Sequence, residues 1–123
     1  FVKSNGSIVN ITSLNAELGF SNNPGYNSSK GGLKLLTKAL ANDLAKIKVR
    51  VNNIGPGYFL TNMTKKFFKI KKTREKRLIR IPLKRYGNTN ELCGAVIFFI
   101  SNASSYVTGQ DLYIDGGFLC KGI

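Results

Sequence analysis

Apolar residues recur along this chain with two different periods. From Ser7 to Thr12 (Ser-Ile-Val-Asn-Ile-Thr) a β-branched run follows Gly6 and predicts a short buried strand. A loop follows through Gly19 to Gly25. From about Pro24 to Lys46 the leucines Leu33, Leu36, Leu40 and Leu44 recur at helical spacing, and Ala39, Ala41 and Ala45 add helix propensity. Lys48 to Ile54 alternates well enough for a second strand, which Gly55-Pro56-Gly57 should end. A basic, helix-forming stretch comes next. Asn88, with Glu91 three residues on, predicts a capping box ahead of an apolar helix reaching Ile100. Asp111 to Asp115 alternates again before Gly116-Gly117, as a last strand does before a turn. Strands separated by helices predict an α/β fold with a parallel sheet. Three strands make a small sheet, and its uncovered edge calls for further chain. The first residue is Phe and patterned structure begins almost at once, as expected of a chain that starts within a domain.

Composition narrows the chemistry. The 123 residues hold no His, two Cys, and 19 Lys+Arg against 6 Asp+Glu, for a net charge of +13. Without His there is no Ser-His-Asp or Cys-His relay and no His-containing metal site, so acid-base work falls to Tyr, Lys or carboxylates and no metal is expected. Cys93 and Cys120 lack metal-ligand spacing, and a cytoplasmic setting is expected. Cys93, within the apolar helix, reads as a small core residue. The longest apolar run, Ala95 to Ile100, is far short of the roughly 20 residues that cross a bilayer.

Tyr26 and Lys30 stand four apart at the start of the long helix, on one face. A phenol with an ordinary pKa of about 10 needs help to exchange protons at neutral pH, and a nearby ammonium supplies it by stabilising the phenolate. Ser13 lies just beyond the first strand and Pro56-Gly57 beyond the second, at the sheet edge where open α/β folds bind ligands.

Ser13, Tyr26-Asn-Ser-Ser-Lys30, Asn52-Asn-Ile-Gly-Pro-Gly57 and Thr108-Gly-Gln-Asp-Leu-Tyr-Ile-Asp-Gly-Gly117 together resemble the C-terminal half of the short-chain dehydrogenase/reductase family, in order and spacing. The resemblance implies the C-terminal part of a Rossmann-type doubly wound parallel sheet, three strands with flanking helices, without the N-terminal dinucleotide-binding half. It implies an NAD(P)-dependent oxidoreductase acting on a CH-OH or carbonyl group. Tyr26 would be the general acid/base, Lys30 its tuning cation and a ligand of the nicotinamide ribose, and Ser13 the donor to the substrate oxygen. Pro56, Gly57, Phe59 (through its backbone) and Thr61 (through its hydroxyl) would meet the nicotinamide carboxamide. Asp115-Gly-Gly117 would lie near the interfaces of a homotetramer. The family's glycine-rich turn and its N-A-G stretch belong to the other half, which leaves the cofactor as NAD or NADP. The chain by itself is expected to be unstable and inactive, its intact parent active.

Ser13-Leu-Asn-Ala-Glu-Leu-Gly19, Lys30-Gly-Gly-Leu-Lys-Leu-Leu-Thr37 and Gly55-Pro-Gly-Tyr-Phe-Leu-Thr61 are closest in look to gluconate 5-dehydrogenase-like members, which implies a sugar-acid substrate. Phe20 stands where those members commonly carry a basic residue, leaving a nearby Lys or Arg to take that role. The 3-oxoacyl-carrier-protein reductase type is the alternative within the family. A truncated, non-catalytic basic binding module is the alternative outside it.

Residues 65–85 hold eleven basic residues and one acid, Glu75, so most of the net charge is local. Lys65-Lys-Phe-Phe-Lys-Ile-Lys-Lys72 interleaves aromatics with cations, as nucleic-acid-binding surfaces do. By the resemblance, 62–86 is the substrate lid. A solvated, Lys-rich lid is the preferred reading, followed by a lid for an anionic substrate, with nucleic acid and acidic membrane below both. Leu78, Ile79 and Ile81 are expected on the lid's pocket side.

Overall fold

The computed structural model describes residues 5–120. Strands β1 (Ser7–Ile11), β2 (Arg50–Pro56) and β3 (Asp111–Ile114) form one parallel sheet in that order. Ile11 faces Ile54 across the first pairing, and Asn53 faces Asp111 across the second. Helix α1 (Pro24–Leu44) connects β1 to β2. Helices α2 (Lys65–Phe68), α3 (Lys71–Arg80) and α4 (Cys93–Ile100) lie between β2 and β3. Among the described residues, no helix is long and apolar enough to cross a membrane.

Alternation along the strands assigns each helix a face. Ile8 and Val51 pack with Leu40, Ala41 and Leu44 of α1, while Val9, Ile54 and Ile114 pack with Ala95, Val96 and Phe99 of α4. Full burial of side chains such as Ile54 and Phe99 is worth roughly 1.5–3 kcal/mol each. The strand order follows the chain while the two helices lie on opposite faces. The two crossovers therefore have opposite hands, and one is the rarer left-handed kind.

The structure departs from the sequence pattern at several positions. Strand β2 does not stop before Gly55-Pro56 but pairs through both residues with Tyr113 and Ile114. Glycine at 55 leaves room for the Tyr113 ring, whose nearest atom would stand 2.3 Å from any Cβ there. Leu36 is half exposed, because the sheet-facing stripe of α1 runs through Thr37, Leu40, Ala41 and Leu44. Cys93 is exposed instead of core, since α4 buries its 92, 95, 96 and 99 face. The basic stretch is two helices, broken at Ile70, whose backbone is extended (φ −81°, ψ 102°). Ile79 points outward, 63% exposed, while Ile81 is buried and Leu78 packs on the same cluster. The capping box forms as expected, with the Glu91 carboxylate accepting from the Asn88 N–H at 2.7 Å.

Candidate active site

The carboxyl ends of β1 and β2 carry the candidate residues. Beyond Ile11, Thr12 continues the pairing by donating its N–H to the Ile54 carbonyl at 2.8 Å. Ser13 then caps a single 3-10 turn, Leu14–Ala16. Its hydroxyl accepts from the Asn15 N–H at 3.3 Å and donates to the Asn15 side-chain oxygen at 3.1 Å. Asn15 donates in turn to Asn27 Oδ1 at 2.5 Å, and Asn27 donates to the Phe20 carbonyl at 2.8 Å. Four groups thus form one donor chain that fixes the Ser13 loop to the first turn of α1, beside Tyr26.

Tyr26 is 43% exposed, so its phenol is open to a reactant. Lys30 Nζ lies 5.6 Å from the centre of the Tyr26 ring and donates to the Ile11 carbonyl at 2.9 Å. That bond draws the ammonium to the end of β1 and leaves further donors on it.

A second network holds the same turn from below. Glu17 accepts from Lys34 and from the Tyr113 hydroxyl, the latter at 2.9 Å. Lys34 holds the Glu17 carboxyl below the ordinary carboxylate range. Burial, and then Glu17 itself, pushes the Tyr113 phenol far up, so it stays a neutral donor. Beneath lies a polar ladder across the sheet. Asn10 donates to Thr37 at 2.8 Å, Thr37 to Asn53 at 2.7 Å, and Asn53 to Asp111 at 2.8 Å. Thr37 and Asn53 are fully buried, so each needs these partners.

Pro56 ends β2, and the Gly57 N–H donates to the Ile114 carbonyl at 2.9 Å. A Cβ at Gly57 would stand 2.6 Å from the Asp115 backbone, so only glycine allows this approach. Phe59 is buried, with its carbonyl accepting from the Thr64 hydroxyl at 2.6 Å. The Thr61 hydroxyl pairs with that of Thr64 at 3.1 Å, within the turn that leads into α2. Leu60 and Tyr58 both bond the backbone of Gly87, at 3.0 and 2.9 Å, which clasps the two ends of the basic segment together.

Ser13, Pro56 and Gly57 line one cleft of ≈ 300 Å³, together with Asn15, Tyr58 and Arg77. Tyr26 and Lys30 sit on α1 outside that lining, and Phe59 lines a smaller hollow beside Gly87. Three residues of the site were not visible in sequence. Asn15 and Asn27 were ordinary loop and helix positions, and Arg77 was one of eleven cations. A signal for the last did exist: Arg74, Arg77 and Arg80 recur every third residue, and each stacks on a ring, of Phe68, Tyr58 and Phe118 respectively.

The donor set matches the polar groups of a nicotinamide riboside. Lys30 keeps free N–H donors, the Tyr26 hydroxyl is open to solvent, and the Thr61 hydroxyl stands beyond the end of β2. Among the described residues, no group of three or more His, Cys, Asp or Glu could hold a metal ion.

A family model described as enoyl-(acyl carrier protein) reductase matches residues 1–119. The 2-dehydro-3-deoxy-D-gluconate 5-dehydrogenase of Formosa agariphila is 42% identical over 115 residues, covering 93% of this chain and 44% of that protein. The 3-oxoacyl-[acyl-carrier-protein] reductase of Thermotoga maritima is 46% identical, over 92% of this chain and 45% of its own length. The crystal structure of a gluconate 5-dehydrogenase from Burkholderia cenocepacia, in complex with NADP and tartrate, superposes with a TM-score of 0.93 at 35% identity, covering 97% of this chain and 47% of that one. The chain belongs to the short-chain dehydrogenase/reductase family, and its three-stranded sheet with helices on both faces is part of the Rossmann-type fold of that family. It spans about half the length of the curated relatives it matches.

Proposed function

We propose that this chain carries the catalytic part of an NAD(P)-dependent oxidoreductase that interconverts a secondary alcohol and a ketone on a sugar acid of the gluconate type. One observation carries the chemistry: the Ser13–Asn15–Asn27 donor chain joins the Ser13 loop to the helix turn bearing Tyr26, while Lys30 is held between Tyr26 and the end of β1. The nicotinamide cofactor supplies or accepts the hydride. In the oxidation direction Tyr26 takes the proton from the substrate hydroxyl, and in reduction it returns one to the carbonyl oxygen. Ser13 turns its hydroxyl from Asn15 to the substrate oxygen and stabilises the charge developing there. Lys30 places a positive charge beside the phenolate and offers its remaining N–H donors to the nicotinamide ribose. Pro56, Gly57, Phe59 and Thr61 form the wall for the carboxamide, Phe59 through its backbone and Thr61 through its hydroxyl. The similarity to a gluconate 5-dehydrogenase and to a 2-dehydro-3-deoxy-D-gluconate 5-dehydrogenase supports the sugar-acid substrate.

The segment 62–86 acts as the substrate lid in this reading, and its clasp at Gly87 suits a unit that moves as one piece. The complete protein is a homotetramer, and two exposed free thiols, Cys93 and Cys120, suit the reducing cytoplasm. A second reading, reduction of a 3-oxoacyl group on a carrier protein, is favoured by the similarity to the Thermotoga reductase. The complete protein is to be assayed by nicotinamide absorbance with gluconate, 5-ketogluconate and an acetoacetyl thioester. Turnover of the sugar acids supports the first reading; turnover of the thioester alone replaces it with the second.

A further inference from the structure

We propose that Arg77 is the residue that binds the substrate's carboxylate and so sets specificity for an acid over a neutral polyol. The inference rests on the sugar-acid reading of the Ser13 cleft and names the group within it that recognises the charge.

The lid's cations are not equivalent. Lys65 donates to Asn62, Lys71 pairs with Glu75, Lys84 donates to the Ile79 carbonyl, and Arg85 forks onto Glu91. Arg74 stacks on Phe68 and faces a different hollow, beside Tyr86. Of the described charged residues, Arg77 alone lines the cleft that contains Ser13. No carboxylate lines that cleft, and among the described residues none pairs with Arg77. An anion entering it meets one cation and no competitor.

Arg77 is also held in place. Its guanidinium lies 4.8 Å from the centre of the Tyr58 ring and 5.4 Å from that of Phe67. Contact with two rings restricts the side chain, yet leaves its N–H donors, which lie in the guanidinium plane, to engage a carboxylate bidentately. Burial pushes the Tyr58 phenol up, so the ring beneath stays neutral. The other lining residues are uncharged, and Ser13, Asn15 and Asn23 among them suit hydroxyl groups along a short polyol. Phe20 brings a ring to the same cleft and packs against Phe118, 6.3 Å between centroids. The charge therefore comes from the lid. At ≈ 300 Å³ the cleft is at the small end of ligand sites, as a six-carbon acid requires.

The test uses the complete protein with NADP, the variants Arg77→Gln and Arg77→Lys, and three readouts: kinetics with gluconate, inhibition by uncharged sorbitol, and calorimetric binding of tartrate. Arg77→Gln should raise the KM for gluconate and the Kd for tartrate about 10- to 100-fold, as expected for a charge-assisted pair. It should leave kcat, the sorbitol Ki and the NADP Kd within about threefold, and Arg77→Lys, which keeps charge without the fork, should fall between. Equal losses for gluconate and sorbitol would show a packing role in the lid and overturn the inference, as would unchanged gluconate and tartrate affinities or no tartrate binding by the parent protein. If the parent turns over no sugar acid, the function fails separately. Tartrate affinity lost in Arg77→Gln then still upholds a carboxylate site, and affinity retained overturns both.

Discussion

Asn15 donates its side-chain amide to Asn27 at 2.5 Å, and this contact joins the loop of Ser13 to the helix turn of Tyr26. The two catalytic candidates come from different elements, so their spacing depends on such a join. Replacing Asn27 with Ala breaks the donor chain at its midpoint and leaves Asn15 without its acceptor. A net hydrogen bond is worth about 1 kcal/mol, which is about a fivefold change in rate. The Asn27→Ala variant should lose about fivefold in kcat for gluconate with NADP affinity unchanged, checked by steady-state kinetics and a fluorescence titration.

Thr37, on α1, ties strands β1 and β2 together through its hydroxyl. It accepts from Asn10 and donates to Asn53, and it is fully buried. Valine has nearly its shape but no hydroxyl, so Thr37→Val strands an amide on one side and a carbonyl oxygen on the other. Stability should fall by about 1–3 kcal/mol, read as a lower urea midpoint. Thr37→Ser, which keeps the hydroxyl, should lose less.

Glu91 gives a pH dependence of known sign. Arg85 first, and then the Asn88 N–H, hold its carboxyl down to about 2, against an ordinary value of 4.5. A carboxyl that is more acidic when folded stabilises the fold while it is ionised. Its contribution is complete above about pH 4.5, shrinks as pH falls, and is gone below about pH 2. In urea titrations, Glu91→Gln should therefore be less stable than the parent at pH 7, with the difference closing between those two values. A gap that stays constant down to pH 2 would contradict the assignment.

What sequence revealed was local in kind. The strand at Ser7, the helix from Pro24 and the capping box of Asn88 and Glu91 all rest on neighbours within a few residues. The Tyr26–Lys30 pair was legible for the same reason, since four residues is one helical turn. Features set by distant partners were not. Strand β2 runs on through Gly55-Pro56 because β3, nearly sixty residues later, pairs with it there. Cys93 is exposed because α4 chooses a face according to the sheet, and an all-apolar helix carries no stripe from which to read that choice. Arg77 differs from the cations around it by lining the Ser13 cleft against Tyr58, a residue of the loop after β2.

In the proposed reaction Tyr26 moves the proton when hydride moves. The most direct measurement is turnover of gluconate and 5-ketogluconate by Tyr26→Phe in the complete protein, with NADP binding measured alongside. The ring and its contact with Lys30 persist in that variant and only the hydroxyl is lost. With Tyr26 as the proton carrier, kcat should fall about 10²- to 10⁴-fold while NADP affinity stays within about threefold. A variant that binds NADP and turns over within a few fold of the parent would contradict it.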